Sequence, residues 1–488
     1  MKQKVSRRHF LSGTAGVIIG TVVAACAPPT PKPVPTSAPA ATAAQPTAVP
    51  TVAKPTAAPV SGKKVTVQFL NRWGAAREQL MNEAIKSFHQ ENPGIEVIND
   101  LQPADNWDQR TATAIASGKP PAVIMVLTPQ MALFAHQSLI VPINPYVEKR
   151  GLKLYDVFYP GDIDAMRWGN NYYSMPLPSA SGRNDIYLYN KVAFSQEGLD
   201  PDKPPKTWEE LEKAAKATTV LERVGLKVIG AQVVVQDTPS PAEPGANFTN
   251  WLYCNNGAFI SDDAKKLTFN SPEGVETLEW MIRFTNEING SYENVIAFLT
   301  GALLTADYPF FKDRLAMWFT GDWAFLHLEN FAKETFNNPE AWGVALRPYN
   351  GRNPAAGSHG NSGPGAWANV IAKGVPQEVQ DAAYLWVEFM GMHPQGGCKF
   401  LYAQKRPSPA KKCNDFYPYR ESNPYWDVVV KAKQQNKPLP ITPAHSEIAA
   451  LLSTAVEQAL RGQKKSKEAL DWAAAQGQAV LDRFWGKS

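Results

Sequence analysis

The sequence is poor in cysteine, in excess charge of one sign and in long apolar runs. Four cysteines in 488 residues are too few for a disulfide scaffold, and 44% hydrophobic residues fit neither a fully disordered chain nor a polytopic membrane protein. The chain has 49 basic and 45 acidic residues, but residues 1–25 hold four of the basic residues and no acidic one. The remainder is neutral, which gives no electrostatic case for binding nucleic acid.

Sequence motifs of the common catalytic classes are also absent. The chain has no His-Glu-x-x-His, Cys-x-x-Cys, Gly-x-x-x-x-Gly-Lys or Gly-x-Ser-x-Gly. Six histidines follow the first 25 residues, and none shows the spacing of metal ligands. We therefore expect no enzyme activity, no metal and no cofactor. One alternative stays open, because carboxylates that are distant in sequence can meet in a cleft, as in glycosidases.

The first 25 residues predict an export signal. A basic start is followed by the uncharged apolar stretch 13–25, which is shorter than the about 20 residues that a membrane-spanning helix needs. The pair Arg7 and Arg8 resembles a twin-arginine signal. The string VAAC, which ends at Cys26, resembles a bacterial lipoprotein box, and this resemblance implies a diacylglycerol on the Cys26 thiol. The alternative is a plain secretory signal with a chance cysteine.

Residues 26–62 predict a spacer between membrane and body. Residues 27–60 consist almost wholly of Pro, Ala, Thr and Val, with ten prolines and no acidic residue. Such a composition favours an extended chain that spans on the order of 100 Å at about 3.1 Å per residue. We expect the body to begin at residue 63 and to lie at the outer face of the cytoplasmic membrane, in the periplasm or at the cell exterior.

The body opens with alternating strand and helix signals. Lys64–Leu70 alternates apolar and polar residues like a strand, and the apolar spacing in Arg77–Glu91 predicts a helix. Ile95–Ile98 and Ala122–Leu127 predict two further strands. This order predicts a parallel sheet that is covered on both faces. At 488 residues, two lobes are the default expectation.

Six strings in order make the chain resemble the extracellular solute-binding proteins, family 1, of ABC importers. They are VTVQFLNRWG with AIKSFHQENPGIEV, ASGKPPAVIMV, YYSMPLP…IYLYNKVAFSQEGLDPDKPPKTWEEL, LTFNSPEGVETLEWM, DRLAMWFTGDWAF and GNSGPGAWANVIAKG. The resemblance implies a type II periplasmic-binding-protein fold with two α/β lobes, each a mostly parallel sheet flanked by helices, and a ligand cleft between them. By this resemblance lobe 1 covers residues 63–176 and 357–392, and lobe 2 covers residues 177–350 and 396–488.

The same resemblance directs several side chains toward the cleft. Flat aromatic rings cover the apolar face of a pyranose, while planar Arg, Asp and Asn groups satisfy its hydroxyls. Asp322-Trp323 lies where sugar-binding relatives stack a ring on the sugar, although each tryptophan can instead pack between lobes and Asp322 can instead cap a helix. The predicted ligand-binding residues are Arg72, Trp73, Trp251, Asp322, Trp323 and Trp367.

The resemblance implies a lipid-anchored, monomeric receptor that captures a sugar or oligosaccharide and delivers it to an ABC permease. The alternatives are a surface lipoprotein that acts on or adheres to polysaccharide, and a receptor of the same fold for a non-sugar solute. Three cysteines follow Cys26. A bridge between Cys398 and Cys413 would close a short loop around Arg406, and three buried thiols are the alternative.

Overall fold

The computed structural model describes residues 64–486, except 75, 104–105, 179–185, 238, 241, 303, 360–365, 436 and 438. The predicted export signal with Arg7 and Arg8, the predicted lipidation at Cys26 and the spacer lie outside the described residues. Within the described part of the chain, every helix is too short or too polar to span a bilayer.

Strands and helices alternate along most of the described chain. The strands are β1 (Val65–Asn71), β2 (Ile95–Leu101), β3 (Val123–Leu127), β4 (Arg167–Trp168), β5 (Asn171–Tyr172), β6 (Ile186–Asn190), β7 (Val220–Glu222), β8 (Gly225–Val228), β9 (Met317–Thr320), β10 (Trp342–Leu346) and β11 (Trp367–Ile371). The α-helices are α1 (Ala76–Glu91), α2 (Trp107–Ala116), α3 (Thr128–His136), α4 (Asn144–Lys149), α5 (Leu154–Val157), α6 (Pro160–Asp164), α7 (Lys191–Gln196), α8 (Trp208–Thr218), α9 (Glu243–Tyr253), α10 (Pro272–Ile288), α11 (Tyr292–Leu299), α12 (Ala324–Phe331), α13 (Lys333–Phe336), α14 (Gln377–Met392), α15 (Lys399–Tyr402), α16 (Cys413–Phe416), α17 (Tyr419–Ser422), α18 (Trp426–Gln434), α19 (His445–Leu460) and α20 (Ser466–Phe484).

The sheet of the first lobe has the strand order β11-β3-β1-β2. β1 runs parallel to both of its neighbours, with Phe69 opposite Asn99 in β2 and opposite Val123 in β3. β11 pairs with β3 in the antiparallel direction, with Trp367 opposite Leu127. The mostly parallel sheet expected for this lobe is therefore present, and its antiparallel edge strand arrives late in the chain.

Helix α1 buries one face against this sheet. Its buried residues are Met81, Ala84, Ile85 and Phe88, spaced at three and four residues as one helical face requires. The helix predicted over Arg77–Glu91 is therefore confirmed, with one extra residue at its start.

The sheet of the second lobe corrects the expectation of a mostly parallel arrangement. Its strand order is β10-β6-β9, and β6 is antiparallel to both neighbours. Strand–helix alternation predicts parallel pairing only between successive strands, whereas β6 pairs with strands that begin more than 120 residues later in the chain. Among the described residues, parallel pairing near this sheet consists of isolated bridges, between Ile229 and Leu315 beside β9 and between Thr207 and Tyr349 beyond β10.

The first core extends further along the chain than the predicted boundary at residue 396. Cys398, Leu401, Cys413 and Tyr419 all pack in the same core as β1 and α14. The backbone also joins this segment to the first lobe, because Ala410 forms a bridge with Phe158. Val429 and Ala432 of α18 then pack in a different core, together with β10. On the basis of this packing we propose that residues 398–419 are part of lobe 1, whereas the boundary predicted from the sequence places them in lobe 2.

Stacked tryptophans centre one core of the second lobe. The rings of Trp208 and Trp280 lie 4.0 Å apart at an interplanar angle of 9°. Thr207 caps α8, and Glu210 completes a capping box with it. Ser271 caps α10, with Pro272 in its first turn.

Candidate functional site

Arginines and tryptophans of the first lobe meet where β1 ends. The Arg72 guanidinium lies over the Trp367 ring, 5.0 Å from its centre, and the Arg77 guanidinium lies 5.7 Å from the centre of Trp73. The two indole rings meet edge to face, 6.1 Å apart. Because β1 and β11 bracket β3 in one sheet, residues almost 300 positions apart in sequence become neighbours.

The two tryptophans of this cluster differ in accessibility. Trp73 is only 4% exposed, and Phe400 stacks on it at 5.7 Å. The predicted role of Trp73 as a ligand-stacking ring is therefore corrected, since its ring is covered by Phe400 and the side chain supports Arg77. Trp367 is half-buried, with the Arg72 guanidinium over its ring.

On the second lobe, Asp322 and Trp323 follow the end of β9. Asp322 is 1% exposed and makes two ion pairs, at 2.7 Å to Arg406 Nε and at 3.4 Å to Lys433 Nζ. Helix α12 has Trp323 as its N-cap residue and shows no side-chain cap, so Asp322 does not cap this helix. Trp323 is half-buried. The carboxylate thus organises two cations beside a tryptophan that is not fully buried.

Trp251 is a core residue, which corrects its prediction as a ligand contact. Its ring is fully buried, and its Nε1 donates a hydrogen bond to the carbonyl oxygen of Val233 at 2.9 Å. It packs edge to face on Trp280 and Phe319, both at 4.9 Å. The sequence suggested a loop before this residue, but α9 already covers it and turns the indole inward.

The structure adds charged side chains that the sequence motifs did not indicate. Asp237 accepts a hydrogen bond from Trp318 Nε1 at 3.0 Å. Arg406 and Lys433 reach Asp322 from segments 84 and 111 residues further along the chain. The only sequence signal for Arg406 was its place inside the loop between two cysteines. Lys433 had none.

The electrostatics tie these charges into one group. Burial, followed by the nearby cations of Arg406 and Arg72, lowers the pKa of Arg77 to about 9, although Asp237 and Asp322 oppose the shift. Side chains from both lobes therefore share one electrostatic environment. This convergence defines the candidate binding site.

One buried histidine borders the site. Burial, together with the positive charge of Arg77, lowers the pKa of His327 to about 3, so the imidazole is neutral at pH 7. Neither ring nitrogen has a hydrogen-bond partner among the described residues. The ring stacks on Phe331 at 5.9 Å, within α12.

Cysteines and metal-ligating side chains are the other groups that could form a functional site. Cys398 and Cys413 form a disulfide, which is one of the two states the sequence left open. Cys254 is a buried thiol whose Sγ lies 3.4 Å from the carbonyl oxygen of His359. Within the described ranges, no three His, Cys, Asp or Glu side chains come together in a way that would hold a metal ion.

The chain belongs to the bacterial extracellular solute-binding proteins, whose family model matches residues 70–395. It is thus an extracytoplasmic solute-binding protein of the ABC importer type, not an enzyme, and it works with permease subunits. The recognition from sequence motifs is confirmed.

Individual relatives extend the likeness to the C-terminal part of the chain. The sn-glycerol-3-phosphate-binding periplasmic protein UgpB of Salmonella paratyphi A is 25% identical over 459 residues, which cover 87% of this chain and 95% of that protein. A solute-binding protein of Thermotoga lettingae, solved with α-D-tagatose, has a TM-score of 0.71 at 23% identity, covering 86% of this chain and all of that one. The maltotriose-bound MalE domain of Bdellovibrio bacteriovorus has a TM-score of 0.67 at 17% identity, covering 86% of this chain and 99% of that one. The predicted two-lobed fold is confirmed by these neighbours.

Proposed function

We propose that this protein captures a sugar or oligosaccharide between its two lobes and delivers it to an ABC permease. The observation that carries the proposal is the pairing of two half-buried rings, Trp323 and Trp367, which come from different lobes beside one shared group of charges. A ring from each lobe provides apolar cover for a pyranose, and the guanidinium of Arg72 provides planar donors for its hydroxyls. Solved neighbours bind tagatose and maltotriose, which supports the same ligand class.

A phosphorylated polyol is the second candidate ligand. The relative from Salmonella is named for sn-glycerol 3-phosphate. The specific observation in its favour is that Arg72 and Arg406 both lower the pKa of Arg77, so three guanidinium groups lie close enough to repel one another. Arg77 also lies in the first turn of α1, where the helix dipole favours an anion. A phosphate between these groups would relieve the repulsion.

Thermal unfolding of the purified protein separates the two ligand classes. We expect a rise in the unfolding midpoint with one mono- or oligosaccharide, because a ligand at 100 times its Kd adds about 2.7 kcal/mol to the free energy of unfolding. A rise with glycerol phosphate and none with any sugar would transfer the proposal to the second candidate. A sugar that is chemically changed during incubation would instead favour the alternative of a protein acting on polysaccharide.

Two substitutions localise the binding. Trp323→Ala is expected to abolish the ligand-induced rise, because it removes the accessible ring of the second lobe. Trp472→Ala is the matched control: Trp472 is also half-buried, but it packs on the second core and carries the Lys464 ammonium 4.7 Å from its centre. An equal loss of the rise in both variants would contradict a site at Trp323.

We further propose that the mature protein is a monomer held at the membrane by a lipid on Cys26, after export through the twin-arginine signal. The basis is sequence alone, namely the paired Arg7 and Arg8 and the apolar stretch that ends at Cys26. Cell fractionation tests it, since Cys26→Ser is expected to move the protein from the membrane fraction to the soluble fraction. Equal membrane retention in the variant would remove the lipid anchor from the proposal.

A further inference from the structure

Two consecutive cations on one lobe meet two carboxylates on the other. Lys405 Nζ lies 3.3 Å from Glu329 Oε1, and Arg406 Nε lies 2.7 Å from Asp322 Oδ1. Asp322 precedes Trp323, the N-cap residue of α12, and Glu329 lies in the last turn of this helix. The two carboxylates are therefore presented from the two ends of one short helix.

The two cations are fixed to the first lobe. They lie in the loop that the disulfide between Cys398 and Cys413 closes, and both sulfurs are buried in the first core. The backbone of this loop is bonded on its far side, since the amide of Lys411 donates to the carbonyl oxygen of Val157 at 2.9 Å. A disulfide reduces the conformational freedom of the 15-residue segment that carries the two cations.

A second contact fixes the turn at Lys405 itself. Its φ of 60° lies in the left-handed region, which is unfavourable for a side-chain-bearing residue. The amide group of Asn423 donates a hydrogen bond to the Lys405 carbonyl oxygen at 2.9 Å and holds this conformation. The turn therefore presents the two cations in a defined orientation.

The two carboxylates are fixed to the second lobe. Phe325 and Leu328 of α12 pack in a second-lobe core together with Trp342 of β10. Asp322 also pairs with Lys433 of α18, which packs in the same core. When the lobes separate, Asp322 keeps the partner that moves with it, and Arg406 and Lys405 become hydrated.

We propose that Lys405, Arg406, Asp322 and Glu329 together form a clamp between the lobes. The two ion pairs of this clamp determine how strongly the lobes stay closed. The clamp regulates the site of the proposed function and so rests on it for its physiological meaning. Its ion pairs are suited to reversible closure, because the cost of removing charges from water offsets much of their attraction. The disulfide acts as a positioning element for the clamp.

A charge exchange tests the clamp without any ligand. In the full-length protein, Lys405→Glu and Glu329→Lys each place like charges opposite one another, and we expect each to increase the radius of gyration measured by X-ray scattering. Hydrogen exchange of the α12 amides is expected to become about tenfold faster, the factor that corresponds to about 1.4 kcal/mol. The double variant restores opposite charges and is expected to return both values toward those of the native protein.

Controls separate closure from folding. Lys412→Glu makes the same charge change at an exposed position of the same loop. It is expected to leave the radius of gyration and the hydrogen exchange of α12 unaltered. The paired variant Cys398→Ala/Cys413→Ala is expected to show faster hydrogen exchange in α12, while the hydrogen exchange of β1 stays as in the native protein. If this variant fails to fold, the variants of Lys405 and Glu329 alone decide the outcome. An unchanged radius and exchange rate in both single variants, or a double variant no closer to native than either, overturns the clamp.

The clamp and the proposed function fail in different ways. All readouts of the charge exchange are taken without ligand, so a protein that binds no sugar can still display the clamp. Conversely, the variants of Lys405 and Glu329 can bind sugar like the native protein while their radius of gyration and hydrogen exchange stay unchanged. That result would support the proposed receptor function and contradict the clamp.

Discussion

The two lobes face each other with opposite charge. The first lobe contributes the cations of Arg72, Arg77 and Arg406, whereas the second contributes the carboxylates of Asp237 and Asp322. The chain beyond residue 25 has equal numbers of acidic and basic residues, so this separation is invisible in its composition. We therefore expect closure to depend on the complementary charges at the site rather than on the net charge of the protein.

The lobes also differ in how their aromatic residues are used. On the second lobe Trp251 fills a core while Trp323 is left half-buried; on the first, Trp73 is covered while Trp367 is half-buried. Each lobe thus has one supporting tryptophan and one partly accessible tryptophan near the site. Substitutions can separate these roles.

The largest effect is expected from Trp251→Ala. We expect a loss of about 4 kcal/mol in the free energy of unfolding, because a fully buried indole leaves a cavity and an unpaired carbonyl at Val233. Urea denaturation measures it. Trp386→Ala is the matching substitution in the first core, where Trp386 is also fully buried. We expect a similar loss in the free energy of unfolding. Native stability in the Trp251→Ala variant would contradict the assignment of Trp251 as a core residue.

A somewhat smaller effect is expected from Asp322→Ala. The substitution leaves Arg406 and Lys433 together without their shared carboxylate, and removing one partner of a buried pair costs about 3 kcal/mol. Glu329→Gln is the control at the other end of α12. The Glu329 side chain is 33% exposed, so we expect a loss below about 1 kcal/mol in the same denaturation experiment. Equal losses would contradict the assignment of Asp322 as the organising carboxylate.

Acid is expected to destabilise the second lobe through two buried histidines. Burial lowers the folded-state pKa of His445 to about 4 and, with Arg77, that of His327 to about 3, whereas the unfolded chain has a pKa of about 6.5. The unfolded state therefore binds the proton first, so stability is fully present above pH 6.5 and falls as the pH decreases below it.

The size of this acid effect can be measured by denaturation at two pH values. Between pH 6.5 and pH 5 each histidine is expected to cost about 2 kcal/mol, as the linkage relation gives about 1.4 kcal/mol per pH unit. His445→Phe is expected to remove its share, since the ring already packs on Phe259 at 5.1 Å. A variant as acid-sensitive as the native protein would show that His445 is not responsible.

The sequence predicted the first lobe well because its signals are local. The alternation in β1, the helical spacing in α1 and the apolar run of β3 each lie within one segment, and β1 pairs with the next two strands along the chain. The sheet of the second lobe was predicted wrongly. Its pairing depends on segments that are far apart in sequence, and no local pattern records whether such strands run parallel or antiparallel.

The candidate site was predictable to a similar degree. Trp323 and Trp367 could be proposed because each lies beside a recognisable strand, and Asp322 because it precedes one of them. Arg406 and Lys433 could not, since only folding brings them to Asp322. Local sequence also could not distinguish the covered ring of Trp73 from an accessible one, because Phe400 covers it from across the first lobe.

The most direct test of a ligand held between one ring from each lobe is calorimetric titration of the native protein with the sugar that raises its unfolding midpoint. We expect Trp323→Ala and Trp367→Ala each to weaken binding by about tenfold or more, corresponding to at least about 1.4 kcal/mol, and Trp472→Ala to bind like the native protein. Native-like binding by both site variants, in proteins of unchanged stability, would contradict a ligand held between one ring from each lobe.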